Sequence, residues 1–287
     1  MKAVEYFQQA THLDPNYAAA YAGLADCYLV GGAVPGTPGD AAKTAALKAL
    51  EIDDTVAEAH TSLAYYEGAV EWNWSGAELE FQRALELNPN YSTAHHWRAY
   101  NLAAMGRLDE SVAEIKRAQE LDPLSLIINT DMGHLLYLSR RYDEAITQYR
   151  KVLEMDPNFR VAHWRLGETY AQKRMYAEAI AELQQALNLD RDDRSPEAWL
   201  GYARAAAGER DEALEVVAHL KMISKAPLGM AMIYAGLEDK DQAFTWLQKA
   251  VKQREADLAL IQVEPMFDSL RADPRYDDLL QRMKLRS

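Results

Sequence analysis

His60, His95 and His163 are the residues of this chain whose type and spacing most invite chemistry. They recur at one position of a repeating pattern, so stacked repeats would bring their imidazoles towards one another. Three imidazoles with a supporting carboxylate or thiolate would suit a zinc-type site. Asn129 takes the same position between His95 and His163 and interrupts the series, so packing and hydrogen bonding are the expected roles and no metal site is expected. The sequence contains no nucleophile elbow, glycine-rich phosphate loop, HExxH or paired-cysteine spacing. No catalytic residue and no cofactor are therefore expected, and the chain does not read as an enzyme. Cys27 is the one cysteine, which excludes an intramolecular disulfide framework; it reads as a small buried apolar residue.

Composition narrows the partners. Apolar residues make up 49% and charged residues 26%, as in a folded chain, while the net charge of −13 repels phosphate backbones and anionic headgroups. Direct binding to nucleic acid or to a membrane surface is not expected. No secretory apolar region and no run of 18 apolar residues occurs, so the expected location is cytoplasmic. The 287 residues are many for one compact core, yet no Pro/Gly/Ser-rich linker divides them. An elongated array reconciles the two.

A strict period supports that array. Pro89, Pro123 and Pro157 are 34 residues apart, and Arg191 fills the next slot. Between them, apolar residues fall at helical spacing on two segments, broken near Gly106, Arg140 and Arg174, so each unit is a helix A, a turn and a helix B. Small residues recur in helix A at Ala25, Ala64, Ala99, Gly133, Gly167, Gly201 and Ala231. They recur in helix B at Ala3, Ala42, Ala77, Ser111, Ala145, Ala179, Ala213 and Ala243, where antiparallel helices in close contact need them. Acidic pairs such as Asp109-Glu110 and Asp143-Glu144 open helix B, where the helix dipole favours them.

With its 34-residue period and with Leu166-Gly167, Tyr170, Ala179 and Pro157 in place, the sequence resembles the tetratricopeptide repeat (TPR) family over roughly residues 1–250. The resemblance implies an all-α, right-handed superhelical solenoid. Residues 1–17 would be helix B of an incomplete first repeat, 18–253 a tandem array of about seven repeats with a long A/B turn near 31–40, and 254–287 a C-terminal capping segment. Because Ala3, Phe7, Ala10 and Pro15 fall in helix B columns, the chain is expected to be part of a longer protein. In the tail, Asp273 and Pro274 start a helix whose Tyr276, Leu279, Leu280 and Met283 line one face. This tail and the wording of residues 92–137 also resemble the TPR arrays behind bacterial winged-helix regulators and serine/threonine kinases.

The family lines its inner surface with helix A. Carried over, the partner-binding positions are Tyr65, His96, Trp97, Tyr100, His134, Trp164, Arg165, Glu168, Trp199 and Tyr202, with Thr130 and Asp131 beside them. Aromatics and arginine offer large contact area with a polar handle, which suits a peptide groove. The competing reading has the rings packing between neighbouring A helices, most of all Trp97 and Trp199. The family's two-carboxylate clamp of Lys and Asn is missing, since Ala22, Asp26, Ser62, Thr93 and Trp97 stand there, so a chaperone-tail ligand is not expected; with Arg165 the main cation of the central lining and Glu168 and Asp131 beside it, a ligand with apolar anchors and some positive charge is. Trp72 and Trp74 in "VEWNWSG" read as a plug against the next repeat rather than an interface. The expected function is a non-catalytic protein–protein interaction scaffold. Its rivals are a regulatory domain of a transcription regulator or kinase, with a small molecule or intramolecular segment in the groove, and a homo-oligomerisation module.

Overall fold

The computed structural model describes residues 2–30, 40–190, 195–223 and 227–286. The expected long turn near 31–40, all but its last residue, and the Arg191 slot lie outside them. Among the described residues the chain is helical, with no strand. Its internal contacts divide it into two compact units, Met1–Leu102 and Ala103–Ser287, a division that falls inside what the sequence reads as one continuous array.

Unit 1 contains α1 (Lys2–Leu13), α2 (Ala18–Val30), α3 (Ala41–Ile52), α4 (Ala57–Ala69), α5 (Trp74–Leu87) and most of α6 (Ser92–Ala104). Helices α2 with α3, and α4 with α5, form the hairpins that the small-residue columns require. Ala25, Ala46, Ala64 and Ala77 are fully buried at their contacts, and Phe81 packs beside them at 1% exposure. Helix α1 packs on α2 through Val4 and Phe7, whereas Ala3 is exposed. Cys27 is half-buried rather than buried, packed beside Leu24 and Ala25, and burial pushes its thiol up. Trp72 and Trp74 are buried at 3% and 7%, as a plug requires; Trp72 takes a left-handed turn conformation with φ 56°.

Unit 2 runs through α7 (Leu108–Leu121), α8 (Leu126–Leu138), α9 (Tyr142–Met155), α10 (Arg160–Gln172), α11 (Tyr176–Leu189), α12 (Ser195–Ala207), α13 (Arg210–Ile223), α14 (Pro227–Gly236) and α15 (Lys240–Gln253). Two 3₁₀ segments, Ala256–Leu260 and Pro265–Leu270, and α16 (Pro274–Arg282) complete it. The hairpin turns use a residue in the left-handed region, Gly106, Arg140, Arg174, Gly208 and Glu238, because helix A ends there and its last carbonyls must be met by reversed backbone N–H groups. In the turn after α8, for example, the Arg141 N–H donates to the Leu136 carbonyl at 2.9 Å. Helix B then starts with an ion pair of its own, Arg107 to Glu110 and Arg141 to Glu144, each held by two hydrogen bonds.

The helix A glycines of unit 2 exist because a large side chain lies against them. A Cβ on Gly133 would sit 2.4 Å from the Tyr149 ring, and one on Gly167 would sit 2.6 Å from Leu183 Cγ. Tyr149 and Leu183 are themselves fully buried, and each such side chain stabilises the hairpin by roughly 1.5–3 kcal/mol through its burial.

Candidate functional site

The recurring histidine position is a structural latch. His60 Nε2 meets the Asp54 carbonyl at 3.0 Å, His95 Nε2 the Pro89 carbonyl at 3.1 Å, and His163 Nε2 the Pro157 carbonyl at 3.0 Å. Asn129, which breaks the histidine series in sequence, donates to the Pro123 carbonyl at 2.9 Å and so makes the same bond. In each case the partner is six residues back, in the tight link between one helix B and the next helix A. The second side-chain contact reaches into the following helix B: His60 Nδ1 to Glu80 and His163 Nδ1 to Glu182, both at 2.6 Å, and Asn129 to Gln148 at 3.1 Å. Those carboxylates raise the pKa of both histidines. Among the described residues no group of three or more His, Cys, Asp or Glu side chains could hold a metal ion.

The predicted partner-binding residues fall into two sets. In unit 1, Tyr65 on α4 and Trp97 on α6 meet ring to ring, 4.8 Å between centroids at 51°, and both are half-buried. Trp97 also packs on Ala64, Ala77 and Phe81, so part of its area serves the core. His96 is buried at 9% and tilts against the half-buried Tyr100 at 5.9 Å. Near this face the Ser62 hydroxyl donates to Asp26, whose carboxyl is pushed up to about 6 by burial.

In unit 2, the structure brings His134, Trp164, Arg165, Glu168, Trp199 and Tyr202 together. His134 stacks on Tyr137 at 5.7 Å, Tyr137 meets the edge of Trp199 at 6.4 Å, and Trp199 meets Tyr202 at 5.5 Å. Arg165 lies 4.6 Å from the Trp164 ring and donates to both oxygens of Glu168 at 3.0 and 2.9 Å. Exposure is only 2% for His134, 0% for Glu168 and 5% for Trp199.

What lies against this set is the chain's own C-terminal segment. The Tyr137 hydroxyl donates to Glu264, and Arg140 donates to the Val263 carbonyl at 2.6 Å and to Asp268 at 2.8 Å. Arg271 ties the segment together through the Gln262 and Glu264 carbonyls, and the Tyr276 hydroxyl donates to the Ile261 carbonyl. Gly106 leaves room for Gln262: its φ of +77° suits glycine, and a Cβ there would sit 2.9 Å from the Gln262 amide nitrogen. The tail helix α16 is capped by Asp273 and buries Tyr276, Leu279, Leu280 and Met283, as the apolar face in the sequence requires. The 3₁₀ segments before it reach as far as α8.

The electrostatics follow from burial. Burial pushes Glu168 and Glu264 each up to about 7, against the opposing pull of Arg165 on both and of the Tyr137 hydroxyl on Glu264. Burial, with the Arg165 charge, holds His134 well below the ordinary imidazole range, so the ring is neutral. The cluster therefore holds one guanidinium beside two buried carboxyls whose charge changes near neutral pH.

Sequence reasoning did not find Glu264, Phe267 or the 3₁₀ segments as part of this site. The signal was an apolar stretch, Ile261, Val263, Met266, Phe267 and Leu270, around Pro265 and without helical period. Such a stretch cannot bury itself as a helix and needs a surface supplied from elsewhere.

Tetratricopeptide repeat models match residues 1–57, 73–125, 136–196 and 228–257, well over half of the chain. None of the curated proteins matches it. Among solved structures the chain is similar to YrrB, described as a TPR protein with an unusual peptide-binding site, at 24% identity over 68% of this chain and 97% of that one, with a TM-score of 0.44. It is similar to pilF of Pseudomonas aeruginosa at 18% identity over 73% of this chain and 96% of that one, with a TM-score of 0.51. It is also similar to a chain of the APC/C hetero-tetramer Cut9-Hcn1 at 16% identity over 98% of this chain and 52% of that one, with a TM-score of 0.63. The last two likenesses carry the fold, an all-α solenoid of helix hairpins.

Proposed function

The chain belongs to the tetratricopeptide repeat family, and from that premise we propose that it is a non-catalytic protein–protein interaction scaffold whose partner segment binds the helix A face of unit 1. The observation that carries the reading is the half-buried Tyr65–Trp97 pair, which combines a fixed ring geometry with surface left for contact. Rigid aromatic pairs of this kind are effective anchors because little rotamer freedom is lost on binding. Asp26 adds negative charge near this face, which favours a segment carrying Lys or Arg beside its apolar anchors.

The test is capture from cell lysate with the wild-type chain and with a Tyr65→Ala/Trp97→Ala variant of matching far-UV circular dichroism, followed by calorimetric titration of the retained segment as a synthetic peptide. A partner held by the wild type and lost by the variant supports the reading. Equal retention by the folded variant overturns it.

A second reading is favoured by the tail of unit 2. There the helix A face is engaged by residues of the same chain, as in a regulatory domain that holds an intramolecular segment. On this reading Trp199, Glu168 and His134 serve a contact in cis. Replacing Arg140, which holds two points of the tail, with alanine should then accelerate amide exchange across 256–270; unchanged exchange would remove the arginine clasp from the account.

A further inference from the structure

Between the tail and the helices of unit 2 lies a cavity of about 670 Å³, within the range of roughly 300–1,000 Å³ typical of small-molecule sites. Its walls come from α8, α10, α12, α13 and α14 on one side and from residues 255–267 on the other. Trp164, Trp199, Met232 and Phe267 supply aromatic and apolar wall between its polar groups.

Its charges are unbalanced. Glu255, Asp257 and Glu264 all line the cavity, from the tail side. Of the basic side chains that line it, Arg165 donates to both oxygens of Glu168 and lies on the face of Trp164, its charge also reaching Glu264, and His219 meets Glu197 at 2.5 Å; Glu255 and Asp257 face neither of them in these bonds. Glu255 accepts from the Leu228 N–H at 3.3 Å, which fixes it at the first turn of α14, and Glu264 is fixed by the Tyr137 hydroxyl. Asp257 is exposed and marks the rim. Positioned carboxylates over aromatic walls attract a cation twice, through its charge and through the ring quadrupoles. An anion would meet the same carboxylates as repulsion.

We propose that this cavity is a binding site for a small organic cation, an amine carried on an apolar or aromatic body. The site is built from residues of unit 2, and the proposal stands whether or not the Tyr65–Trp97 face of unit 1 holds a partner. Burial pushes Glu255 and Glu264 up to about 7, so near neutral pH a bound cation can replace their protons. Because the tail forms one wall, the occupant also joins the tail to the helices and should hold it down.

The experiment uses the full chain with tryptamine as the cationic probe and indole-3-propionate as its anionic counterpart, read by ligand-observed saturation-transfer NMR and by thermal shift. Tryptamine should show saturation transfer and raise Tm, and indole-3-propionate should do neither. The Glu255→Gln/Asp257→Asn variant, which keeps the acceptor to the Leu228 N–H, should weaken tryptamine about tenfold. Met232→Trp, which fills the cavity, should abolish the signal while the Tyr65→Ala/Trp97→Ala variant leaves it unchanged, so this proposal and the scaffold reading fail separately. Absence of tryptamine binding, equal binding of the two probes, or undiminished binding to folded Met232→Trp overturns the proposal. Should the carboxylate variant not fold, the two probes on the wild type still decide the sign of the charge.

Discussion

The helix A faces of the two units begin from the same column of positions and end in different states. In unit 1 the Tyr65 and Trp97 rings meet each other and stay half-buried. In unit 2 the corresponding set keeps Trp164, Arg165 and Tyr202 half-buried, but His134, Glu168 and Trp199 are buried, and a segment from the far end of the sequence is bonded to the same face through Tyr137 and Arg140. An aromatic column on a repeat scaffold is therefore only a surface with adhesive potential. In unit 2, whether it faces solvent is decided by a tail whose contacts to Tyr137 and Arg140 span more than a hundred residues.

The most forceful way to break this comparison is at the tail. Phe267 is 2% exposed, and Phe267→Ala should cost unit 2 about 3–5 kcal/mol, against about 1 kcal/mol for Tyr65→Ala in unit 1. Urea unfolding checks the magnitudes, and hydrogen exchange at 256–270 shows whether the tail leaves first. Equal costs would mean that the tail contributes no more than a surface ring.

Acidity gives a second contrast. Glu168 and Glu264 are raised to about 7, so the folded unit binds protons more tightly than the unfolded chain does. Stability is then greatest below the unfolded value near 4.5 and falls as pH rises through 7, by up to about 3 kcal/mol for fully buried Glu168. Glu264→Gln should flatten that slope between pH 5 and 7 in thermal melts. A slope untouched by the substitution would place its origin in other groups.

The hairpin contacts should differ as well. Gly167→Ala places a Cβ 2.6 Å from Leu183 Cγ and 3.1 Å from the Ala179 carbonyl, and overpacking of this kind costs about 1–3 kcal/mol. Unit 1 already carries Ala64 in that column at no strain, so the penalty belongs to unit 2's glycines. A stabilised Gly167→Ala would show that the hairpin relaxes freely.

The smallest effect is at the latch. His163→Asn keeps a donor for the Pro157 carbonyl, as Asn129 does for Pro123, but loses the Glu182 pair, for a cost of about 1 kcal/mol. Because pairing raises the His163 pKa, that contribution is complete below about 6.5 and is lost as pH rises through the folded value. The cost of the substitution should accordingly shrink between pH 6 and 8 in chemical denaturation.

Much of the fold was legible because it is local. The period of 34, the small-residue columns and the turn positions near Gly106, Arg140 and Arg174 all report contacts between neighbouring helices, and all three turn residues are left-handed in the structure. The apolar face of α16 and the plug formed by Trp72 and Trp74 were legible for the same reason. Of the residues that the structure draws together in unit 2, those on the A helices were singled out in the sequence, but Glu255, Asp257, Glu264 and Phe267 were not. Their segment has no helical period, and nothing in residues 256–270 names the helices against which they pack.

The sequence by itself determined the helix hairpins, their spacing and the identity of the helix A column, since side chains a few residues or one repeat apart must fit one another. Only the tertiary structure decided which part of that column is covered, where the carboxylates of the tail converge and that a cavity remains beneath them. Those outcomes depend on long-range closure of the chain, in which Glu264 meets Tyr137 across 127 residues, and a periodic pattern carries no record of such a pairing.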